Sequence, residues 1–297
     1  MRKFCSCHYG FCFILVTFLG AAPLKLHAAD TLRNQHVAMF FSDDGMFTLI
    51  DREQQVSWGS NFAGWVRMSD DQGTKEISLS HAKFSTEIHG DSLLFIFSEI
   101  QTERMSDPSF QLRGKVVLNG SSAEMEITSL KSQYDLEDLE YPAHLLTVKS
   151  GAEEGYIVVP HLQGVLIPSR YDAGFMRYGQ NIWDLIADKE AWWNFESGNL
   201  NMPWFGASKS GSSVLVTIPT ASDATLHVIG NSVVGKSGFT VNARQGQHPG
   251  TRISSLTPIW KSNKGELAYP RKLRIEFVKN GYVGMVRRYK SYAIQSG

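Results

Sequence analysis

The sequence predicts a mostly β protein, a large antiparallel sandwich followed by one C-terminal helix. Short apolar runs alternate with turns rich in Gly, Asn and Asp along most of the 297 residues. Turns that recur at such regular intervals are typical of all-β sandwiches and barrels. The apolar period changes from two to three and four residues only at the end of the chain, which indicates a helix.

Four hairpins are predicted in the first part of the chain. They span residues 37–51, 64–80, 82–100 and 110–130, and each pairs two apolar runs across a turn that contains glycine. In the first hairpin the turn contains Asp44-Gly45, and Asp-Gly is a strong short-range hairpin signal.

The middle of the chain alternates between connections and strands. Residues 132–140, with the sequence SQYDLEDLE, are predicted to be an acidic connection. Strand character resumes at 145–148, 156–159 and 162–167.

Strands return in the last third. Residues 214–218 and 224–229 flank the turn 220–223, which predicts another hairpin. Residues 239–241 and 258–260 are predicted strands, and 271–278 alternates cleanly, as a last strand with one wet face would. Hairpin count and usual strand lengths give about 15 strands in all.

Residues 280–296 form the predicted terminal helix. Its apolar stripe consists of Tyr282, Val283, Val286, Tyr289, Tyr292 and Ala293, which recur at three and four residues. A β domain that closes on a helix at the chain end suggests a longer parent protein, with a further domain beyond residue 297.

Residues 171–205 interrupt the strand pattern. They hold nine aromatic residues and show neither strand alternation nor a clean helical period. A long segment without a regular pattern is usually functional or disordered, and disordered segments are poor in aromatics. We therefore predict an ordered, aromatic-lined crossing that the rest of the chain supports.

Residues 1–29 have the layout of a secretory signal peptide. Arg2 and Lys3 precede an apolar run at 11–24, and the segment ends in small residues at Ala28 and Ala29. The run is short for a membrane span. The sequence therefore predicts a secreted or periplasmic protein without a membrane anchor after cleavage.

The predicted mature chain divides into a sandwich, residues 30–279, and the helix, residues 280–297. Cleavage would remove all three cysteines and three basic residues, which leaves 26 basic against 29 acidic residues. This composition excludes disulfide and thiol chemistry in the mature chain and gives no sign of a nucleic-acid partner.

Motifs for cofactors and metals are missing from the sequence. It contains no phosphate-binding glycine loop, no H-E-x-x-H and no G-x-S-x-G. The histidines show no metal-ligand spacing. We therefore expect neither a cofactor nor a metal.

The crossing supplies the candidates for sugar contact: Trp192, Trp193, Trp204, Asp184 and Glu196. Tryptophan rings offer flat apolar faces on which sugar rings stack. Paired carboxylates are also what a glycosidase uses, although spacing alone assigns no catalytic pair. The alternatives are tryptophans packed in the core or against a neighbouring domain, and solvated carboxylates.

Four stretches carry a resemblance to a known family. They are Tyr141-Pro142 with GYIVVP at 155–160, MPWFG at 202–206 with 214–218, the strand at 271–278, and GYVGM at 281–285 with Arg288-Tyr289. From residue 141 onward the chain resembles the β-sandwich that precedes the barrel in the α-N-acetylgalactosaminidases of glycoside hydrolase families 101 and 129.

This resemblance implies a galactose mutarotase-like supersandwich that precedes a catalytic (β/α) barrel. The catalytic carboxylates of such enzymes lie on the barrel, so no catalytic residue is carried over to this chain. The implied role is a non-catalytic, carbohydrate-associated domain that braces the barrel, with carbohydrate and the barrel as its partners.

Two other functions stay open at this stage. One is a free-standing carbohydrate-binding protein that uses the tryptophans as a platform. The other is a mutarotase-like epimerase, with His144 or His161 and Glu140 or Glu196 as acid and base.

Overall fold

The computed structural model describes residues 31–59, 62–103, 105–149, 153–159, 165–169, 193–197, 200, 202–234, 240–241 and 252–296, with the backbone alone for 193–197, 231–234 and 240–241. Its strands are β1 (Thr31–Arg33), β2 (Val37–Phe41), β3 (Phe47–Asp51), β4 (Val56–Gly59), β5 (Trp65–Asp70), β6 (Gly73–Ser78), β7 (Lys83–His89), β8 (Ser92–Gln101), β9 (Ser106–Asn119), β10 (Ser122–Lys131), β11 (Asp135–Glu140), β12 (Leu146–Lys149), β13 (Gly155–Val159), β14 (Val165–Pro168), β15 (Trp193–Ser197), β16 (Trp204–Lys209), β17 (Ser212–Thr217), β18 (Ala224–Val234), β19 (Thr240–Val241), β20 (Arg252–Lys261) and β21 (Arg271–Phe277). A 3₁₀ turn spans Leu79–His81, and the helix α1 spans Gly281–Ser296.

The described strands form three antiparallel sheets. The small sheet has the order β1-β2-β3-β4. The nine-stranded sheet has the order β14-β13-β16-β17-β21-β10-β9-β8-β7. The eight-stranded sheet has the order β15-β18-β20-β11-β5-β6, with β12 paired to β20 and β19 paired to β18. The mostly β architecture predicted from the sequence is confirmed.

One hydrophobic core joins the three sheets. The buried ring of Tyr141 shows the connection, because it follows β11 of the eight-stranded sheet and lies 5.5 Å from Phe95 and 5.6 Å from Phe97 of the nine-stranded sheet. Burying each large apolar side chain contributes about 1.5–3 kcal/mol. The core is therefore the main source of stability.

All four hairpins predicted in the first part of the chain are present. The pairs β2–β3, β5–β6, β7–β8 and β9–β10 are each antiparallel neighbours. Gly45 and Gly120 adopt positive φ values of 75° and 56° in two of the turns. Glycine reaches this region without the steric penalty of a side chain.

Most of the acidic segment at 132–140 is a strand, so its prediction as a connection was wrong. Residues 135–140 form β11, which lies between β5 and β20. A register shift between Leu136 and Asp138 marks a bulge. The bulge lets Leu136 and Leu139, three positions apart, both enter the core, and it removes the simple alternation by which a strand is recognised in a sequence.

The hairpin predicted at 214–229 was also wrong. Strand β17 pairs with β16 and β21 in the nine-stranded sheet, whereas β18 pairs with β15 and β20 in the eight-stranded sheet. The turn between them carries the chain from one sheet to the other. The estimate of about 15 strands was also low, because several strands have only two to four residues.

The terminal helix is confirmed at Gly281–Ser296. Asn280 and Gly281 begin it with positive φ values of 67° and 56°. The Tyr282 N–H donates to the Tyr156 hydroxyl oxygen at 2.8 Å, which satisfies one of the unpaired donors of a helix start. Within the described ranges, no helix is long and apolar enough to span a membrane.

Candidate functional site

The structure describes the five predicted sugar-contact residues to different extents. Trp192 and Asp184 lie outside the described residues. Trp193 and Glu196 belong to β15, where their backbones pair with Gly230 and His227 of β18. Sugar contact by these four residues stays a prediction.

Trp204 is fully described, and it is packed rather than open. It is 4% exposed and belongs to a second apolar cluster with Val158, Leu215 and Met285. Its ring stacks on Tyr289 with the centroids 5.6 Å apart. This burial leaves no ring face for a sugar, so the packing alternative is the one that the structure favours for Trp204.

The helix approaches the nine-stranded sheet closely at Gly206. A Cβ atom at this position would lie 2.6 Å from Met285 Sδ and 2.7 Å from the Val214 carbonyl oxygen. Met285 is completely buried there. The predicted apolar stripe was therefore partly wrong, because Met285 faces the sheet with Tyr282 and Tyr289, while Val283 and Val286 are exposed.

An ionic contact supports the same docking. Arg288 of α1 donates to Glu276 Oε1 of β21 from Nη2 at 2.7 Å and from Nε at 3.1 Å. Arg274 donates to the same oxygen at 3.0 Å. The hydrogen bonds to Glu276 raise the pKa of Arg288, so the guanidinium keeps its charge across the neutral range.

Most of the stretches that carry the family resemblance thus meet at one interface. Tyr156, Trp204 and Gly206, the strand β21, and α1 were quoted as separate motifs, and they contact one another where the helix lies on the nine-stranded sheet. The Tyr141–Pro142 peptide is cis, and Tyr141 belongs to the main core instead of this interface.

The outer face of the eight-stranded sheet carries the main cluster of ionisable groups. We call it the acidic face, and it consists of Arg67, Glu76, Asp138, Glu140, His227 and Lys261. Neighbouring strands bring these residues together by register: Arg67 lies opposite Glu76 and Asp138, and Asp138 lies opposite Lys261. Their strand neighbours Val66, Met68, Leu139 and Trp260 face the core.

Asp138 is the neutralised centre of the acidic face. Arg67 binds it through two hydrogen bonds, Nε to Oδ1 at 2.7 Å and Nη2 to Oδ2, and Lys261 Nζ lies 3.1 Å from Oδ2. The hydrogen bonds to Asp138 raise the pKa of Arg67. A paired carboxylate of this kind fixes side-chain positions and is poorly suited to move a proton.

Glu140 and His227 form the pair that can exchange a proton. His227 Nδ1 lies 3.0 Å from Glu140 Oε2, and both side chains are partly accessible. Burial disfavours the charged form of Glu76, and so does the negative charge of Glu140; both raise the pKa of Glu76. The acidic face thus combines an ion-paired carboxylate, a carboxylate beside an imidazole and a carboxyl group that holds its proton more tightly than usual.

Of the two histidines named in the epimerase hypothesis, His144 does not fit the role. His144 is buried, and its Nδ1 lies 2.7 Å from Ser255 Oγ. Its ring meets those of Phe62 and Trp65 at 5.5 and 5.7 Å. His161 lies outside the described residues. The partner of Glu140 is His227, which sequence reasoning missed because β11 was assigned to a connection.

A metal site is not apparent in the part of the chain that the structure describes. No group of three or more His, Cys, Asp or Glu side chains could hold an ion there. The acidic face is therefore interpreted through hydrogen bonds and charge alone.

Comparison with solved structures identifies similar folds. The α-N-acetylgalactosaminidase NagBb from Bifidobacterium bifidum, in its GalNAc complex, matches 90% of this chain with a TM-score of 0.62 and 13% identity. The same enzyme in its Gal-NHAc-DNJ complex matches with a TM-score of 0.61 and 12% identity. A galactose mutarotase related enzyme from Lactobacillus acidophilus matches 86% of this chain and 98% of its own, with a TM-score of 0.44 and 12% identity.

The likeness to NagBb confirms the resemblance predicted from the sequence at the level of the fold. The chain spans 39% of the length of NagBb in both complexes. No known family and no curated protein matches the sequence.

Proposed function

We propose that this chain is the β-sandwich domain of a secreted glycoside hydrolase, where it braces a catalytic domain and does not itself cleave the glycosidic bond. The likeness to an α-N-acetylgalactosaminidase over 90% of the chain supports the enzyme class. The observation that carries the bracing role is the firmly docked helix α1.

A domain that orients another needs a stiff connection, and α1 has two kinds of anchor. Trp204, Met285 and Tyr289 form an apolar anchor, and Arg288 with Glu276 forms an ionic one. The neighbouring side of the same helix exposes Val283 at 51%, Val286 at 37% and Ile294 at 72%. An exposed apolar strip of this kind suits contact with a second domain.

Two measurements test this proposal. The 297-residue chain, assayed alone on 4-nitrophenyl α-N-acetylgalactosaminide, is expected to release no nitrophenol. An antibody raised against it should detect, in the organism that makes it, a polypeptide much larger than the 33.2 kDa of this chain. Turnover by this chain alone, or a native polypeptide of its own size, would contradict the proposal.

Carbohydrate contact is the finer part of the proposal. The predicted contact residues are Trp192, Trp193, Asp184 and Glu196, which flank or belong to β15. Titration of the chain with N-acetylgalactosamine, followed by NMR, should show saturable shifts that Trp193→Ala abolishes. The matched control is Trp204→Phe, since Trp204 is buried under the helix.

A second candidate function rests on the Glu140–His227 pair. Interconversion of sugar anomers requires a base that takes a proton from the anomeric hydroxyl and an acid that protonates the ring oxygen. A carboxylate and an imidazole 3.0 Å apart on an accessible face supply these groups.

This alternative predicts that the chain accelerates the anomeric equilibration of galactose, measured by NMR immediately after dissolution of one anomer. Glu140→Gln should remove the acceleration, whereas replacement of the exposed His81 by Ala should not. Equilibration at the rate of plain buffer would exclude this function and leave the bracing role intact.

We further propose export by the segment 1–29. The support is its charged start, apolar run and small-residue end. N-terminal sequencing of the native protein should begin at Ala29 or Asp30, and recovery of Met1 would contradict export by cleavage.

A further inference from the structure

A cavity lies where the small sheet meets the two large sheets. We call it the junction pocket, and its wall includes Gln55, Trp58, Thr147, Lys149, Glu153 and Lys209. Its volume of about 860 Å³ is within the range of small-molecule sites. It shares no lining residue with the acidic face.

Lys209 is the unusual member of the junction pocket. The residue is only 9% exposed, although lysine is rarely buried without a partner. Its ammonium donates to the Thr147 carbonyl oxygen at 3.0 Å and lies 4.7 Å from the centroid of the Trp58 ring. These contacts hold the charge against the wall of the pocket.

The ammonium has spare donor capacity. It carries three N–H donors. Among the described residues, one donates to the Thr147 carbonyl oxygen at 3.0 Å, and a second can pair with Glu153 Oε2, which lies 3.6 Å away. Burial lowers the pKa of Lys209, while Glu153 opposes that shift. A ligand anion would accept from the N–H that Thr147 and Glu153 leave.

The wall that holds Lys209 is fixed in advance. Trp58 Nε1 donates to Ser212 Oγ at 3.0 Å, and Ser212 Oγ donates to Asp51 Oδ2 at 2.7 Å. This buried chain of hydrogen bonds orients the indole that faces the ammonium. A pre-formed site loses less free energy on binding than one that must be ordered.

The described lining of the pocket is largely polar, and its two lysines, Lys149 and Lys209, outnumber its one carboxylate, Glu153. Amide and hydroxyl groups come from Thr48, Gln54, Gln55, Ser57 and Ser210, and the apolar part of the wall includes Val56, Phe62 and Ile253. Gln55 and Ser210 have positive φ values of 56° and 48°, so two hairpin tips hold polar groups at the rim. Such groups suit hydroxyls, and the excess positive charge suits one anion.

We propose that the junction pocket binds an acidic sugar, a hydroxyl-rich ring with one carboxylate, and that Lys209 and Lys149 receive the carboxylate. None of the predicted sugar-contact residues is among the described lining of the pocket, and the proposal does not depend on the bracing role.

The test is calorimetric titration of the mature chain with methyl β-D-glucuronide and with its neutral counterpart, methyl β-D-glucoside. The methyl group prevents reaction of a free aldehyde with the lysine. Saturable binding of the glucuronide is expected, with the glucoside at least about tenfold weaker. Lys209→Met should reduce glucuronide affinity by at least about tenfold, and Lys131→Met, at an exposed lysine on β10, should leave it unchanged.

Several results would overturn the proposal. They are the absence of saturable glucuronide binding up to about 50 mM, equal affinity for the glucoside, equal affinity for inorganic phosphate, and unchanged binding by Lys209→Met. If Lys209→Met does not fold, Lys149→Met takes its place, and it should weaken glucuronide binding severalfold; unchanged affinity in that variant also overturns the proposal.

Discussion

The indole of Trp204 lies almost parallel to the ring of Tyr289, with 5.6 Å between the centroids and 29° between the planes. Trp204 is the first residue of β16, and Tyr289 is in the middle of α1. This contact closes an apolar cluster separate from the main core. The helix is thus an integral part of the sandwich and not a tail.

Replacement of Trp204 by Ala should therefore destabilise the chain. Removal of a buried tryptophan side chain loses both its transfer free energy and the packing of its neighbours, and the two together amount to about 3–5 kcal/mol. Urea denaturation followed by circular dichroism should show a clear fall in the midpoint. Trp204→Phe keeps an aromatic ring against Tyr289 and should therefore lower the midpoint far less. An unchanged midpoint for Trp204→Ala would show that the helix does not pack as described.

Gly206 gives an independent test of the same interface. A Cβ atom there would lie 2.7 Å from the backbone oxygen of Val214 and 2.6 Å from Met285 Sδ. The thioether can move, but the carbonyl belongs to a sheet strand and cannot. Gly206→Ala should cost about 1–3 kcal/mol, measured as a lower denaturation midpoint.

Shortening Met285 should relieve only part of the steric cost of the Gly206→Ala substitution. In the double variant Gly206→Ala with Met285→Ala, the clash with the Val214 oxygen remains. A stability for Gly206→Ala equal to that of the unmodified chain would contradict the close approach of helix and sheet.

The ionic anchor can be measured with a double-mutant cycle on Arg288 and Glu276. Arg288→Met, Glu276→Gln and the double variant should give a coupling of about 1 kcal/mol, discounted because Arg288 is partly exposed. The coupling should fall at high salt. Arg274 also contacts Glu276 at 3.0 Å, so Glu276 keeps one ionic partner in Arg288→Met and the loss of stability in that variant is limited. A coupling of zero at low salt would remove the ionic anchor from the docking interface.

Local signals in the sequence were sufficient for the early hairpins and the helix. Asn119-Gly120 forms a tight turn because Gly120 takes a positive φ of 56°, a conformation that glycine adopts without help from its neighbours. The terminal helix was likewise readable from its period. The buried face of the helix was harder to predict, because Met285 packs on the sheet only where Gly206 permits a close approach.

The wrong predictions concern features that depend on contacts between residues far apart in the chain. A bulge hides the alternation of β11, so the strand that carries Asp138 and Glu140 was taken for a connection. Its partner His227 is 87 residues from Glu140, and β20 lies between the two strands. No local pattern links two residues across an intervening strand, so the acidic face could not be assembled from the sequence.

The last prediction concerns pH and Lys209. Burial, the first cause, lowers the pKa of Lys209 in the folded chain; Lys149 lowers it further, while Glu153 opposes the shift. In the unfolded chain a lysine titrates near 10.4. Between the two pKa values the unfolded chain binds more protons than the folded one, so folding stability contributed by this group rises with pH. Below both values the ammonium is protonated in both states, and its burial penalty is fully present.

Lys209→Met removes this titration and keeps a long apolar side chain against Trp58. Relative to the variant, the unmodified chain should therefore gain stability as pH rises through the folded pKa of Lys209 towards about 10.4. Urea unfolding of both proteins from neutral pH to about pH 10.5 measures the difference, in which all other titrating groups cancel. The stability of Lys131→Met, a substitution at the exposed last residue of β10, should follow the same pH dependence as that of the unmodified chain. Parallel curves for Lys209→Met would mean that the ammonium is solvated in the junction pocket, and the argument for a missing anion would fail with it.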